Sequence, residues 1–321
     1  MSEPSVSDPS VSEPSVSEIA VSEARAREGC LAVIGCGLMG GSVARALRRA
    51  RAVEEIVGYS PDPEERALAV ALGVLDRAAE TAAAAVAGAG IVVIAVPVPE
   101  IGAVLAEIAP ALGSEAVVTD LGSVKGEVVT AARAALGPAF AQFVPGHPIA
   151  GLEKSGVAAS RADLFAGRRV ILTPVAETRG RAVLQVTSLW EAMGAEVDLL
   201  TPERHDLLLA ATSHLPHLVA YALVDTVRRQ LIASEIAQYA GPGFADTTRI
   251  AASPPGLWRD IALANREALV AVLRRFEETI HALGDALEAG DGEQLQRTFQ
   301  AAQEARVRLG NAAVGIDAQG Q

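Results

Sequence analysis

The run Leu31-Ala32-Val33-Ile34-Gly35-Cys36-Gly37-Leu38-Met39-Gly40-Gly41-Ser42 constrains this chain more than any other. A short apolar strand enters a Gly-x-Gly-x-x-Gly turn, and an Ala/Leu/Arg pattern with helical spacing leaves it and continues to about Arg51. Strand, glycine turn and helix in that order are the opening of a dinucleotide-binding βαβ unit. Gly35 allows the tight turn, Gly37 the close approach of a pyrophosphate, and Gly40 the packing of helix on strand. The phosphates then meet free N–H groups at the positive end of the helix. Gly35, Gly37, Leu38, Met39 and Gly40 are therefore the candidate cofactor cradle. The plainer alternative is a glycine-rich turn with no ligand.

The next strand, Glu55 to Tyr59, ends at Ser60, where an acidic residue would select the ribose diol of NAD. Serine tolerates a 2′-hydroxyl or a 2′-phosphate. Asp62 lies two positions later, and Arg66 could reach back from the following helix, so NAD and NADP both stay open. Ile91 to Pro97 reads as a fully buried parallel strand whose Val96 and Pro97 would lie beside the cofactor. Ala116 to Asp120 is a further strand, and it opens into Leu121-Gly122-Ser123-Val124-Lys125-Gly126. Ser123 could donate to a substrate hydroxyl or the nicotinamide amide, or simply cap a helix. Gln142 to Val144 then delivers His147 to the carboxyl edge of the sheet, where open α/β sheets bind ligands. His147 stands between small and rigid residues, with Glu153 and Lys154 shortly after. It is either a dedicated proton acceptor or a histidine bonded to a carbonyl in a proline-braced loop. Arg169 to Thr173 and Glu196 to Leu199 should extend the sheet around a helix from about Thr178 to Met193, with Trp190 in the core.

From Thr201 strand patterns stop and helical spacing takes over. Thr201-Pro202-Glu203 suits a helix start, and Pro216 should kink the helix that carries His205, Asp206, Ser213, His214 and His217. His214 and His217 share a face, but no accompanying cysteine and carboxylate set points to a metal. Gly241 to Arg249 reads as a flexible loop leading into a helix. Arg249 could clamp a carboxylate or pair with Asp246. Arg259 and Asp260 suit a solvated pair, and the last helices, to about Leu287 and Leu309, could pack onto a partner subunit. The expected organisation is a low-complexity tail over 1–27, an α/β doubly wound, mostly parallel Rossmann-type domain over 28–200, an all-helical substrate and dimerisation domain over 201–312, and a flexible end over 313–321.

A net charge of −12 without a basic run argues against nucleic acid. Apolar runs such as Gly90 to Pro97 are too short for a bilayer, and the acidic Ser-Val-Pro tail lacks the features of a secretion signal. Cys30 and Cys36 suit neither zinc nor a disulfide framework, so a reducing cytoplasm is expected. Only two of the 27 basic residues are lysine, Lys125 and Lys154, both in glycine-bearing loops. That placement hints that a compact ammonium is wanted there.

Six segments together, GCGLMGGS from Gly35, DLGSVKG from Asp120, GHPIAGLEKSG from Gly146, TSHLPH from Thr212, GFADTTRIA from Gly243 and LWRDI from Leu257, resemble the prephenate and arogenate dehydrogenases of tyrosine biosynthesis. The resemblance runs from about residue 30 to 285. It implies an NAD- or NADP-dependent oxidative decarboxylation by a homodimer of two-domain subunits. By the same resemblance His147 is the base on the C4 hydroxyl, Ser123 bridges that hydroxyl and the nicotinamide, and Arg249 binds a substrate carboxylate. His217, Trp258 and Ser213 fall near the substrate side chain, and Glu153 is a charged gate. Ser60 departs from the acid that many relatives carry, and no effector domain or fused mutase is expected. A β-hydroxyacid dehydrogenase shares the GLMGGS motif but needs a lysine in the helical half, where none follows Lys154. A nucleotide-sensing dimer without turnover would leave the histidine, serine and arginine unexplained.

Overall fold

The computed structural model describes residues 28–152 and 154–317; the tail, Glu153 and residues 318–321 lie outside them. Strands β1 (Glu28–Ile34), β2 (Val53–Tyr59), β3 (Arg77–Ala78), β4 (Ile91–Ile94), β5 (Val117–Asp120) and β6 (Phe143–Val144) form one parallel sheet, in the order β3-β2-β1-β4-β5-β6. The order reverses beside β1, which opens a crevice at the carboxyl ends of β1 and β4. Side chains alternate across each strand. Leu31, Val33, Ile91 and Val93 enter one apolar cluster, and Ala32, Ile34, Val92 and Ile94 enter another on the opposite face. Both faces are covered, which is why these strands read as continuous apolar runs.

Helix α1 (Leu38–Ala50) packs Val43 and Leu47 into the first cluster. After the surface helix α2 (Pro63–Ala71), the helices α3 (Ala82–Val86), α4 (Val98–Ile108) and α5 (Gly126–Leu136) fill the second. Helix α6 (Gly180–Ala192) returns to the first face and buries Trp190, edge-on to Phe165 at 5.1 Å.

The expectation that the later strands extend this sheet is corrected. β7 (Gly146–Pro148), β8 (Arg169–Leu172) and β9 (Glu196–Leu199) form a separate three-stranded sheet, with β7 antiparallel to β8. Pro145 sits between β6 and β7, and having no N–H it cannot continue the ladder. Its carbonyl instead accepts from the Thr173 N–H at 2.9 Å.

Helix α7 (Pro202–Leu209) starts as its sequence suggests, with the Thr201 hydroxyl accepting from the Arg204 N–H at 3.2 Å. It runs into a π-helical segment, Ala210–His214, and on into α8 (Leu215–Gln230). Pro216 falls in the first turn of α8, so the anticipated break takes the form of a widened turn just before the proline. This continuous stretch, Pro202–Gln230, is long and apolar enough by length and composition to cross a bilayer, which the sequence reading did not foresee. Its His205, Asp206 and His214 are nevertheless tied to loops of the same compact unit. After α9 (Ala233–Tyr239), the segment read as a flexible loop is instead helical, as α10 (Pro242–Thr248) and a 3₁₀ turn Arg249–Ala252. Pro242 takes the first helical position, where its missing N–H costs nothing. Helix α11 (Pro255–Ala264) follows, and α12 (Arg266–Ala289) and α13 (Gly292–Asp317) end the described chain.

The described residues form two compact units, one ending at Arg266 and one beginning at Glu267. In the second unit Val270, Ile280, Leu287, Phe299, Val307 and Leu309 are exposed.

Candidate active site

The glycine turn has the form its spacing suggests. Gly35 adopts φ +97°, and a Cβ there would lie 2.4 Å from the Ala95 carbonyl oxygen; at Gly40 a Cβ would lie 2.0 Å from the Gly35 oxygen. At Gly37 the nearest atom to such a Cβ is Glu65 Oε1, at 3.8 Å, so the approach to the turn is open. No side chain caps the start of α1, which leaves its first N–H groups available to an anion. These residues fit a dinucleotide pyrophosphate. Leu38 and Met39 pack against the core, so they offer N–H groups and not side chains. Val96 packs against Gly35, and Pro97 directly precedes α4.

Ser60 is buried and donates to Glu65 Oε2 at 2.7 Å. Asp62 caps α2 through Oδ1, which accepts from the Glu64 N–H at 2.9 Å. The Arg66 guanidinium donates to the Ser60 carbonyl at 2.6 Å and to Glu80 at 3.2 Å.

β6 lies three strand spacings from β1, about 14 Å, and leads directly to His147. His147 Nδ1 is 2.8 Å from His205 Nε2, and His205 Nδ1 is 2.7 Å from Asp206 Oδ1. A carboxylate can only accept, so the hydrogen-bond network assigns the proton of His205 to Nδ1. Its Nε2 then accepts, so the proton of His147 resides on Nδ1 and Nε2 remains its basic nitrogen. Enclosure, then the neighbouring His205, Lys125 and His214, hold the His147 pKa well below the usual 6.5. The ring is thus an unprotonated acceptor at neutral pH. Burial alone would raise the Asp206 carboxyl, but hydrogen bonds from His205 and from the Lys125 and Gly126 N–H groups outweigh it and leave the pKa lowered. Those two N–H bonds, both 2.8 Å, cap α5 from a residue 80 positions further along the chain.

The backbone before His147 is fixed by a buried ion pair. Lys125 Nζ donates to Asp120 Oδ2 at 2.5 Å and to the Gly146 carbonyl at 2.7 Å, while Asp120 accepts from the Gly122 N–H at 2.8 Å and the Gly146 N–H at 3.1 Å. Both side chains are fully buried. The compact ammonium hinted at by sequence is therefore accounted for at Lys125, whereas Lys154 is exposed.

Because Asp206 caps α5, Ser123 is not needed as a cap and stands half-exposed between Asp120 and Lys125. His214 is buried with Nδ1 3.0 Å from Asn265 Nδ2, and burial pushes its pKa down to about 4. His217 stacks on Trp258 with ring centroids 3.3 Å apart and bonds the Ser213 carbonyl at 2.9 Å. Arg249 is exposed on the 3₁₀ turn after α10, and its charge is felt at His217. Arg259 and Asp260 form the surface pair expected of them. Asp120, Asp206, Asn265 and the catalytic-side contact of His205 were not assigned from sequence. The adjacency of His205 and Asp206 just after a helix cap was the one local signal.

Residues 43–199 match the family model for the prephenate dehydrogenase nucleotide-binding domain, and residues 201–301 match that for the prephenate dehydrogenase dimerization domain. A cyclohexadienyl dehydrogenase of Zymomonas mobilis is 38% identical over 281 residues, spanning 87% of this chain and 95% of its own. Among solved structures, prephenate dehydrogenase from A. aeolicus in complex with hydroxyphenyl propionate and NAD+ has a TM-score of 0.82 at 36% identity, covering 88% of this chain and 99% of that one. Synechocystis arogenate dehydrogenase has a TM-score of 0.75 at 28% identity, covering 87% and 99%.

Proposed function

The chain belongs to the prephenate dehydrogenase family and is an NAD(P)-dependent dehydrogenase, and from that premise we propose that it converts prephenate to 4-hydroxyphenylpyruvate in tyrosine biosynthesis. The single observation that carries the mechanism is the Asp206–His205–His147 chain of hydrogen bonds at the carboxyl edge of the dinucleotide-binding sheet. A dinucleotide held by the Gly35–Gly40 turn would supply the acceptor for the hydride that leaves C4 of the substrate. His147 takes the C4 hydroxyl proton at Nε2, and the positive charge that develops on its ring is stabilised through His205 by the Asp206 carboxylate. The Asp120–Lys125 pair holds the Gly146 backbone, and hence the histidine, in place while this happens. Release of CO₂ follows from the aromaticity gained, so the protein need supply no further acid or electrophile for that step.

Ser123 is assigned a hydrogen bond to the reacting hydroxyl or the nicotinamide amide. Arg249 is assigned a substrate carboxylate, with His217, Trp258 and Ser213 beside the substrate side chain and Glu153 as a gate. The hydroxyphenyl propionate and NAD+ bound by the A. aeolicus relative support this reading. The apolar residues exposed on α12 and α13 are those a second copy would cover, consistent with the match to a dimerization domain. We place the enzyme in the cytoplasm as a homodimer. Arogenate is the second candidate substrate, supported by the Synechocystis relative. Absorbance at 340 nm separates the readings when the purified protein is offered prephenate or arogenate, each with NAD+ or NADP+. Reduction with prephenate is expected, faster turnover of arogenate would reassign the substrate, and silence in all four mixtures would refute the activity.

A further inference from the structure

We propose that Glu65 makes this enzyme select NAD+ over NADP+, by supplying from the first turns of α2 the carboxylate that the end of β2 lacks. The inference rests on the dehydrogenase reading above. In a dinucleotide fold the group at the end of the second strand meets the adenosine ribose, and an acid there hydrogen-bonds the ribose hydroxyls and repels a 2′-phosphate. Here that position is Ser60, a residue that by itself distinguishes neither cofactor. The structure fills the gap from elsewhere. Glu65 Oε2 accepts from the Ser60 hydroxyl at 2.7 Å, and Oε1 is the atom nearest to a Cβ built on Gly37, at 3.8 Å. The carboxylate therefore lies between the end of β2 and the second glycine of the phosphate turn. Its charge also reaches Cys36, the residue between the first two glycines, where burial first and Glu65 second push the thiol up to about 12.

The cation that could have welcomed a 2′-phosphate already has partners. Arg66 donates to the Ser60 carbonyl and to Glu80, and its guanidinium carbon lies 5.8 Å from the centre of the Tyr59 ring. Asp62, the other acid near the strand end, is held as the cap of α2. A negative group at the ribose edge with its neighbouring arginine engaged elsewhere discriminates mainly by repulsion of the extra phosphate.

Calorimetric titration of the full-length protein with NAD+ and with NADP+, without substrate, tests this independently of turnover. NAD+ is expected to bind at least about a hundredfold more tightly than NADP+. Glu65→Gln should tighten NADP+ about tenfold or more while weakening NAD+, collapsing the ratio. Adding Ser60→Asp to that variant should restore the preference for NAD+. Equal binding of both nucleotides by the unaltered protein would overturn the proposal, as would a Glu65→Gln variant whose two affinities shift together, the signature of a merely structural tie to Ser60. Failure of both nucleotides to bind the unaltered protein would refute the cofactor reading itself.

Discussion

Replacing His205 by leucine removes the middle of the hydrogen-bond chain while keeping an apolar side chain of comparable bulk in a fully buried position. Two losses follow. The His147 Nδ1–H, now 2.8 Å from no acceptor where Nε2 of His205 stood, costs about 1–3 kcal/mol if it stays there. To avoid that cost the ring can move its proton to Nε2, and the molecules that do so have no acceptor for the substrate hydroxyl. The second loss is the link to Asp206, whose charge no longer supports the imidazolium. Together these should remove about 2–4 kcal/mol of transition-state stabilisation, or roughly 30- to 1000-fold in kcat. Glutamine at the same position is the informative contrast. Its amide oxygen can accept from His147 while its amide nitrogen donates to Asp206, preserving both bond directions. His205→Gln should therefore retain kcat within about tenfold. Initial rates at saturating substrate, with calorimetric cofactor affinity and a thermal melt as controls, read the comparison. If the folded leucine variant kept kcat within about threefold, or glutamine were as damaging as leucine, the chain would not be what orients His147.

His147→Asn should lower turnover by about 10²–10⁴-fold with cofactor affinity little changed, read by steady-state kinetics and calorimetry. Lys125→Met strands the Asp120 carboxylate in the core and should destabilise the protein by about 3–5 kcal/mol in denaturant titrations; a loss below about 1 kcal/mol would mean the pair is dispensable. His214 has a folded pKa of about 4 against 6.5 when unfolded, so the unfolded chain binds more protons between those values and stability should fall by roughly 3 kcal/mol as pH drops from 6.5 to 4. Because the His147 pKa of the free protein is lowered as well, kcat/KM should show no His147 acid limb until below pH 6.5; an acid limb centred at or above 6.5 would contradict its enclosure.

The features legible in the sequence are those whose cause is local. The glycine turn announces itself because Gly35 takes a left-handed φ of +97° and Gly40 must clear the Gly35 carbonyl five residues back, and β1, β4 and β5 show as apolar runs because both faces are covered. His147 is legible as the residue after a strand. What escapes is what distance in the chain creates. His147 meets His205 across 58 positions and Lys125 meets Asp206 across 81, separations that no spacing rule reaches. The second sheet was missed because a run such as Arg169–Leu172 specifies a strand and not its neighbours, and the turning point at Pro145 reads equally well as a simple sheet exit. Glu65 was missed because a glutamate in the first turns of a surface helix is ordinary until Ser60 is seen to point at it.

Asp206 both starts helix α5 and orients the histidine pair, and that double duty orders events during synthesis. A ribosome-bound chain that has released only the first 200 residues holds every strand of the six-stranded sheet and the glycine turn. It cannot yet react, since the carboxylate that fixes the proton on His147 is still to come. The docking of residues 205 and 206 is what fixes that proton, so it must precede any proton transfer at His147.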